Sequence, residues 1–242
     1  MMNTVEHIAQ QLQARIRRGE WADARRLPGQ RQLAESLGVS RASLREAITM
    51  LEGLGLLRSE AGRGVFIVRP GESGLGSAYG RWRFQGRYAL RDVYLVRCEL
   101  EELAAALAAG VVTRHGLARL RATVDQMEAA AAEGDLVVMA EGDHAFHAGL
   151  YEIAGSPLLQ DIADSIGDVV EGSRQVAFAD PARVREPIRE HLAIIDALAT
   201  GVPEQARRAM RAHIRNVADR AGLALAIPGL RPGARKDATK RS

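Results

Sequence analysis

The chain has 242 residues, of which 47% are hydrophobic and only 4% aromatic, so it can form two modest domains with aliphatic cores. Its one cysteine, Cys98, excludes an intrachain disulfide and suits a reducing compartment. No apolar run reaches the roughly 18 residues of a membrane span, and the N-terminus lacks a signal-peptide pattern. We therefore expect a cytoplasmic protein that makes no membrane contact.

The net charge of +3 is distributed unevenly along the chain. Residues 1–70 carry 11 Arg or Lys against 7 Asp or Glu, residues 71–228 carry 17 against 22, and residues 229–242 carry 5 against 1. Basic ends suit a polyanionic partner, whereas the acidic middle does not. Residues 229–242 have no core pattern and are predicted to be a basic disordered tail that attracts DNA weakly and non-specifically.

Three helices are predicted in the first 55 residues. Residues 4–19 carry apolar side chains at helical spacing, and a short apolar-periodic segment follows at 31–37. Gly38 stands where a helix end favours a left-handed residue, and Ser40 stands where a new helix favours an N-cap. The next helix runs to Leu54. A short helix, a glycine turn and a longer helix together indicate a helix-turn-helix.

The second of these two helices begins with hydroxyl and guanidinium side chains. Such groups at the start of a recognition helix can reach bases or phosphates in the major groove. From the pattern alone, an ordinary helical hairpin with a solvated helix start is the alternative. Residues 56–68 then read as a hairpin around a glycine turn, which is typical of a wing whose tip, Arg63, reaches a minor groove or a phosphate.

Residues 4–69 resemble the winged helix-turn-helix of the GntR family of bacterial transcription regulators. The residues that carry the resemblance are Leu27-Pro28, Arg31, Leu33-Ala34, Leu37 to Arg41, Leu44 to Ala47, Leu51, Gly55-Leu56 and Gly62 to Phe66. The resemblance implies a DNA-binding domain over residues 1–69. Its DNA-contacting candidates are Arg31, Ser40, Arg41, Ser43, Arg45, Gly62, Arg63 and Gly64.

Beyond the wing, glycines and Pro70 predict a linker over residues 70–86, with a short helix near 77–84. Residues 87–228 are predicted to be an all-α bundle, so the fold class is mainly α. The six predicted helices span residues 89–109 with Gly110 as the stop, 113–131, 135 to beyond 150, 156–178, 181–199 and 203–225.

Four residues of the bundle form a candidate metal site. Asp143 and His147 are four residues apart and share a helix face, and His191 and His213 lie on two later helices. One carboxylate and three imidazoles suit a divalent ion such as Zn²⁺ or Ni²⁺. The Asp-x-x-x-His spacing alone is a weak motif, and a buried hydrogen-bonded histidine set explains it equally well.

Residues 87–227 resemble the FCD effector domain that accompanies GntR DNA-binding domains in the FadR-type subfamily. The matching pieces are Arg97-x-x-Leu100-Glu101, Asp143-x-x-Phe146-His147-x-x-Leu150, Glu190-His191-x-x-Ile194 and Ala209-Met210 with His213. The resemblance implies that the Asp and the three His bind the metal and that the pocket senses a small organic acid. Arg97 is the candidate carboxylate clamp. Arg174 and Asn216 are weaker candidates, and for Arg174 a surface salt bridge is the alternative.

We therefore expect a homodimeric regulator, not an enzyme, that binds palindromic double-stranded operator DNA as a repressor and releases it when the acid binds. A metallohydrolase is one alternative, with Glu141 or Glu190 as the general base. The others are a regulator for which the ion itself is the signal and a structural metal that staples the bundle.

Overall fold

The computed structural model describes residues 4–68, 82, 84, 86–178 and 181–225. Most of the predicted linker, most of the predicted short helix near 77–84 and the whole predicted tail lie outside these ranges. The predicted fold class is confirmed: helices make up most of the described chain, with one two-stranded sheet. No helix in the described ranges is both long enough and apolar enough to cross a membrane.

The N-terminal unit contains helices α1 (Thr4–Arg17), α2 (Gln30–Leu37) and α3 (Arg41–Gly53). The two predicted caps are confirmed. Gly38 ends α2 with a φ of 65°, in the left-handed region that glycine occupies without strain. The Ser40 hydroxyl accepts a hydrogen bond from the backbone N–H of Ser43 at 3.0 Å. Helix α1 ends at Arg17, earlier than predicted, because Gly19 already has a φ of 75°.

The predicted wing is an antiparallel hairpin of β1 (Leu57–Glu60) and β2 (Gly64–Ile67). Its register pairs Leu57 with Ile67 and Glu60 with Gly64, so residues 61–63 form the turn. The segment that precedes α2 adds to the far side of β2, where the Leu27 N–H donates to the Val65 carbonyl at 2.9 Å. Because Leu27, Leu57 and Val65 are all buried, the wing is fixed against the three-helix core.

The C-terminal unit is helical throughout its described residues. Its helices are α4 (Leu90–Val111), α5 (Arg114–Glu133), α6 (Leu136–Ala154), α7 (Pro157–Ser165), α8 (Gly167–Ala177), α9 (Glu186–Ala199) and α10 (Pro203–Arg220). Helix α4 is central because it packs against α6, α8, α9 and α10. Thr113 and Asp135 cap α5 and α6, because each side chain accepts a hydrogen bond from a backbone N–H in the first turn.

Four predicted boundaries in this unit were wrong. Helix α4 continues through Gly110 to Val111, because Gly110 does not adopt the left-handed φ of a helix stop and the Val112 N–H still donates to the Ala108 carbonyl at 2.8 Å. The predicted 156–178 helix breaks at Ile166, next to Gly167, whose helix propensity is low. The predicted 181–199 helix is a 3₁₀ turn at 181–183 followed by α9, because Pro187 is tolerated only in a first turn. Helix α10 ends at Arg220, before Gly222 with its φ of 82°.

The two units contact each other along two pairs of helices. Helix α1 packs on α6, and α3 packs on α8. In the first contact the buried Gln13 side chain donates to Asp135 Oδ1 at 2.6 Å and accepts from the Leu136 N–H at 3.0 Å. In the second, Gly53 lies against Gln175 so closely that a Cβ there would be 2.7 Å from Gln175 Oε1. Both contacts end on helices that carry the candidate site.

Candidate functional site

The four candidate metal ligands meet inside the C-terminal unit. Helix α6 supplies Asp143 and His147, α9 supplies His191, and α10 supplies His213. All four are buried, and one potential ligand atom from each lies within 4.8 Å of the others. Ligands about 2.0–2.1 Å from a tetrahedral ion lie roughly 3.4 Å apart. The four atoms are spread somewhat more widely than this, so a small inward movement of the side chains would complete a tetrahedral set.

The hydrogen bonding of the histidines fits a metal better than a closed histidine network. Nδ1 of His213 is hydrogen-bonded to Glu190 at 2.8 Å, and Nδ1 of His147 lies 2.7 Å from Glu101, at ion-pair distance but outside hydrogen-bond geometry. Carboxylates in these positions orient metal-bound imidazoles. Within the described chain, Nε2 of His147, His191 and His213 has no hydrogen-bond partner. Three buried, unpaired nitrogens that converge on one carboxylate are costly without an ion.

The protonation states also suit metal binding. Burial lowers the pKa of His147 to about 4, although Glu101 opposes this shift. Burial likewise lowers the pKa of His191 well below its ordinary value. Burial raises the pKa of Glu190, but the hydrogen bonds from His213 and Arg220 outweigh it and bring that pKa to about 2. Two of the three imidazoles are therefore held in the neutral form that binds a metal, and Glu190 stays ionised beside His213.

The three candidate effector residues lie in different surroundings. Arg97 is buried in α4, where its Nε donates to Glu101 at 2.8 Å and its Nη1 donates to Ser173 Oγ at 3.1 Å. Arg174 is also buried, with its guanidinium 3.6 Å from both Asp143 and Glu101, so it is not the surface salt bridge that the sequence left open. Asn216 is exposed and reaches the site only by donating to Glu190 at 3.0 Å.

Sequence reasoning missed one residue of this site. Arg220 is buried in α10 and makes a bidentate ion pair with Glu190, in which Nη1 and Nη2 lie 2.7 and 2.9 Å from the two carboxylate oxygens. It lies seven residues after His213, two turns along the same helix face. This spacing could have indicated that Arg220 faces the site. An arginine near a helix end is usually exposed, however, so the sequence did not single it out.

The candidate DNA-contacting residues lie on one unit, at α2, the start of α3 and the wing. Arg31, Arg41, Arg45 and Arg63 are exposed. The hydroxyls of Ser40 and Ser43 lie 2.9 Å apart, and Ser40 also caps α3. In the wing, Gly62 is exposed, while Gly64 is half-buried against the Arg26 side chain, where no Cβ would fit without a shift.

Comparison with known families identifies both units. Residues 4–67 match the sequence model of the bacterial regulatory proteins of the gntR family, and residues 92–216, more than half of the chain, match that of the FCD domain. The chain belongs to the GntR family of bacterial regulators, with a C-terminal FCD domain. The expected family is thereby confirmed, as is the expectation that this GntR regulator is not an enzyme.

Relatives of this GntR/FCD regulator match it over nearly their whole length. It is 29% identical to the HTH-type transcriptional regulator LutR of Bacillus subtilis over 84% of this chain and 94% of that protein. It is also 29% identical to the Glc operon transcriptional activator of Escherichia coli, over 88% and 86%. Identity to the HTH-type transcriptional repressor NanR of Cronobacter sakazakii is 28%, over 88% and 83%.

Proposed function

We propose that this protein is a cytoplasmic, effector-responsive repressor that binds palindromic operator DNA as a homodimer and releases it when a small organic acid binds. The acid binds in the FCD domain beside a divalent ion, Zn²⁺ or Ni²⁺, held by Asp143, His147, His191 and His213. The observation that carries the proposal is the convergence of three buried, unpaired imidazole nitrogens on Asp143, next to buried arginines. Both an activator and a repressor occur among the relatives, and repression is our choice.

The DNA-contacting residues are proposed from their positions. The recognition helix α3 presents Arg41 and Arg45 to base edges in the major groove, while Ser40, Ser43 and Arg31 hold the adjacent backbone. The wing brings Gly62, Arg63 and Gly64 to the neighbouring groove or phosphates. All four arginines named for this surface are exposed, although Arg63 must first leave its ion pair with Glu60 before it can bind a phosphate. The domain bounds proposed are 1–69 for DNA binding and 87–228 for effector binding, joined by 70–86 and followed by the tail 229–242.

The ion supplies a positive centre that an acid's oxygen can approach. Arg97 and Arg174 contribute the rest of the recognition, because a planar guanidinium matches a carboxylate in geometry as well as charge. Asn216 contributes indirectly. It donates a hydrogen bond to Glu190, and Glu190 orients His213.

Effector binding is coupled to DNA affinity by the contacts between the two units. Gln13 in α1 holds both the Asp135 side chain and the Leu136 N–H, which together form the N-terminus of α6. Helix α6 carries Asp143 and His147, so a shift of α6 on effector binding moves the helix that supports the recognition helix. An effector changes DNA affinity only through its different affinities for the two arrangements, typically about 1–3 kcal/mol.

The test uses operator DNA selected from a random pool, with binding measured by fluorescence anisotropy. We expect at least one acid from a panel of acetate, glycolate, lactate, malonate and succinate to weaken operator binding about 5- to 150-fold, and only in metal-loaded protein. In Gln13→Ala the acid should still bind, as measured by calorimetry, but operator release should fall towards zero. Gln11→Ala, an exposed position on the same helix, is the matched control.

Three other outcomes would contradict the proposal. If the ion alone switches operator binding, the protein is a metal-responsive regulator. If neither the ion nor any acid changes operator affinity, the metal is structural. If Gln13→Ala releases DNA as readily as Gln11→Ala does, the coupling does not run through α1.

The dimer surface is proposed to lie on α4. Four large apolar residues, Val96, Leu103, Leu107 and Val111, are 48%, 40%, 40% and 61% exposed and follow one face of this helix. A second copy of the chain is the occupant that a palindrome-binding protein supplies.

Replacing both Leu103 and Leu107 with Glu should therefore convert the dimer to a monomer. Burying two unpaired carboxylates costs more than about 2 kcal/mol, so dimer dissociation should become at least roughly 30-fold easier. Sedimentation equilibrium measures the change, with Ala132→Glu, an exposed position on α5, as the control. An unchanged dimer in the double variant would place the interface elsewhere.

A further inference from the structure

Helix α8 lies between the candidate effector site and the recognition helix α3. It has eleven residues and is bounded at both ends, since Ile166 separates it from α7 and Phe178 ends it. No side chain caps its N-terminus. A short helix with separate ends can shift as one body, and helix shifts of about 1–2 Å are a common switching movement in proteins.

Four consecutive residues of α8 contact different parts of the molecule. Successive residues of a helix point about 100° apart, so four in a row cover most of its circumference. Gly172, Ser173 and Arg174 are buried, and Gln175 is half-buried. Helix α8 is therefore enclosed on most sides, and a shift that begins at one side changes its contacts on the others.

The first two of these residues attach α8 to the segment before α4 and to α4 itself. A Cβ at Gly172 would lie 3.2 Å from Trp82 and 3.4 Å from Phe84, so these aromatic rings pack closely on the backbone of α8. On the neighbouring face, the Tyr94 hydroxyl donates to the Ser173 carbonyl at 2.8 Å. These contacts guide any movement of α8.

The third residue, Arg174, connects α8 to the candidate effector site. Its guanidinium lies 3.6 Å from Asp143 and from Glu101 and 3.7 Å from Glu171, distances too long for hydrogen bonds. Among the described residues, its buried Nε has no hydrogen-bond partner. Arg97, in contrast, already donates to Glu101 at 2.8 Å. Of these two arginines, Arg174 is therefore the one that can move towards a new acceptor without breaking a hydrogen bond.

The fourth residue, Gln175, contacts the recognition helix. Gly53 is the last residue of α3 and is buried, and a Cβ there would lie 2.7 Å from Gln175 Oε1 and 3.2 Å from Gln175 Cβ. The Gln175 amide also donates to Glu171 at 3.4 Å, which holds this side chain along α8. Because Gly53 has no side chain that could turn aside, a displacement of α8 acts directly on the backbone of α3.

We propose that Gln175 and Gly53 are positioning residues that transmit effector binding from Arg174 to the recognition helix. An acid that attracts Arg174 shifts α8, and Gln175 then displaces the end of α3 at Gly53. Arg41 lies on the same continuous helix, so its position relative to DNA changes with that displacement. The inference rests on the proposed function and assigns its regulation to a second contact, which acts together with that of Gln13 because the two attach the DNA-binding unit at two points.

The test measures the coupling in both directions in metal-loaded protein. The probe is the acid, among acetate, glycolate, lactate, malonate and succinate, that most weakens operator binding by the wild-type protein. Operator affinity is measured by anisotropy with and without this acid, and acid affinity is measured by calorimetry with and without operator. Linkage requires the two fold-changes, which we call the coupling factor, to be equal.

In Gln175→Ala, the coupling factor should fall from about 5- to 150-fold to less than about 2-fold in both directions. Acid binding without operator should be retained, because Arg174 and Arg97 are unchanged. The matched control is Gln126→Ala, which shortens an exposed glutamine of α5 and should keep the wild-type coupling factor.

A second variant reverses the change in size at the same contact. In Gly53→Ala the new methyl group overlaps Gln175 Oε1, so the two helices are forced apart and the coupling factor should again fall. In the double variant Gly53→Ala/Gln175→Ala, the methyl group takes the place of the deleted amide. Its coupling factor should be closer to that of the wild type than either single variant's is, a recovery that a merely structural role does not produce. The measurement on Gln175→Ala stands by itself even if Gly53→Ala fails to fold.

If Gln175→Ala keeps the coupling factor of Gln126→Ala, the inference is wrong, and the proposed function stands because the acid still releases operator from the wild-type protein. Loss of acid binding in Gln175→Ala without operator would also overturn the inference, since it would place Gln175 in the acid site. If no acid of the panel changes operator binding by the wild-type protein, the proposed function itself fails.

Discussion

Purified His147→Ala is expected to hold little metal, whereas the wild-type protein holds about one ion per chain. Four protein ligands contribute apparent binding free energies of about 10–16 kcal/mol in structural zinc sites, so one ligand is worth roughly 3 kcal/mol. That loss weakens binding by about 100-fold. One ring nitrogen of His147 lies within 4.8 Å of the other potential ligand atoms, and no further imidazole in the described chain belongs to this cluster. Inductively coupled plasma mass spectrometry after dialysis gives the stoichiometry.

The matched control for this measurement is His144→Ala. His144 lies on the same helix, but its side chain is 61% exposed and contacts Glu171 instead of the cluster. Its removal should leave the metal content unchanged. Equal metal retention in the two variants would show that the ion, if present, is bound elsewhere. A thermal melt of both variants with and without added Zn²⁺ adds a second readout, because an ion that binds only the folded state raises its apparent stability.

Much of this site was predictable because its ligands sit in local patterns. Asp143 and His147 are one helical turn apart, and a helix over this segment follows from its apolar spacing. The placement of His191 and His213 beside them depends on how α9 and α10 pack, which spacing alone does not determine. The resemblance to the FCD domain supplied the expectation that these two histidines belong to the same site.

The rest of the site depends on tertiary packing. The spacing of seven residues from His213 places Arg220 on the same helix face but does not indicate that its side chain is only 3% exposed, whereas Arg183 is a half-buried arginine that pairs with Glu186. The difference arises because Glu190 from α9 meets Arg220 inside the bundle. Burial and charge pairing across helices are therefore the properties that the sequence pattern did not contain.

On the DNA-binding surface, Arg41→Ala should weaken operator binding by about 10- to 100-fold. A well-placed arginine at a base edge contributes about 1–3 kcal/mol of discrimination. Arg41 is the first residue of α3, and its guanidinium is exposed. The hydrogen bond from the Ser43 N–H to the Ser40 hydroxyl fixes the start of this helix, so the backbone that carries Arg41 is well ordered. Fold stability should be unchanged, because an exposed arginine at this position supports no core contact. Anisotropy titrations with the selected operator, repeated over a range of salt concentrations, measure the effect.

The salt series distinguishes the loss of a base contact from the loss of a phosphate contact. Removing a phosphate contact lowers the slope of log affinity against log salt by about 1 and weakens all sequences alike. Removing a base contact instead relaxes the preference for operator over random DNA. We expect the second behaviour for Arg41→Ala and the first for Arg63→Ala at the wing tip. The control is Arg121→Ala, which deletes another exposed arginine from α5, in the other unit. If Arg41→Ala and Arg121→Ala bind operator equally well, α3 is not the helix that reads the operator, and the helix-turn-helix would have to contact DNA through another surface.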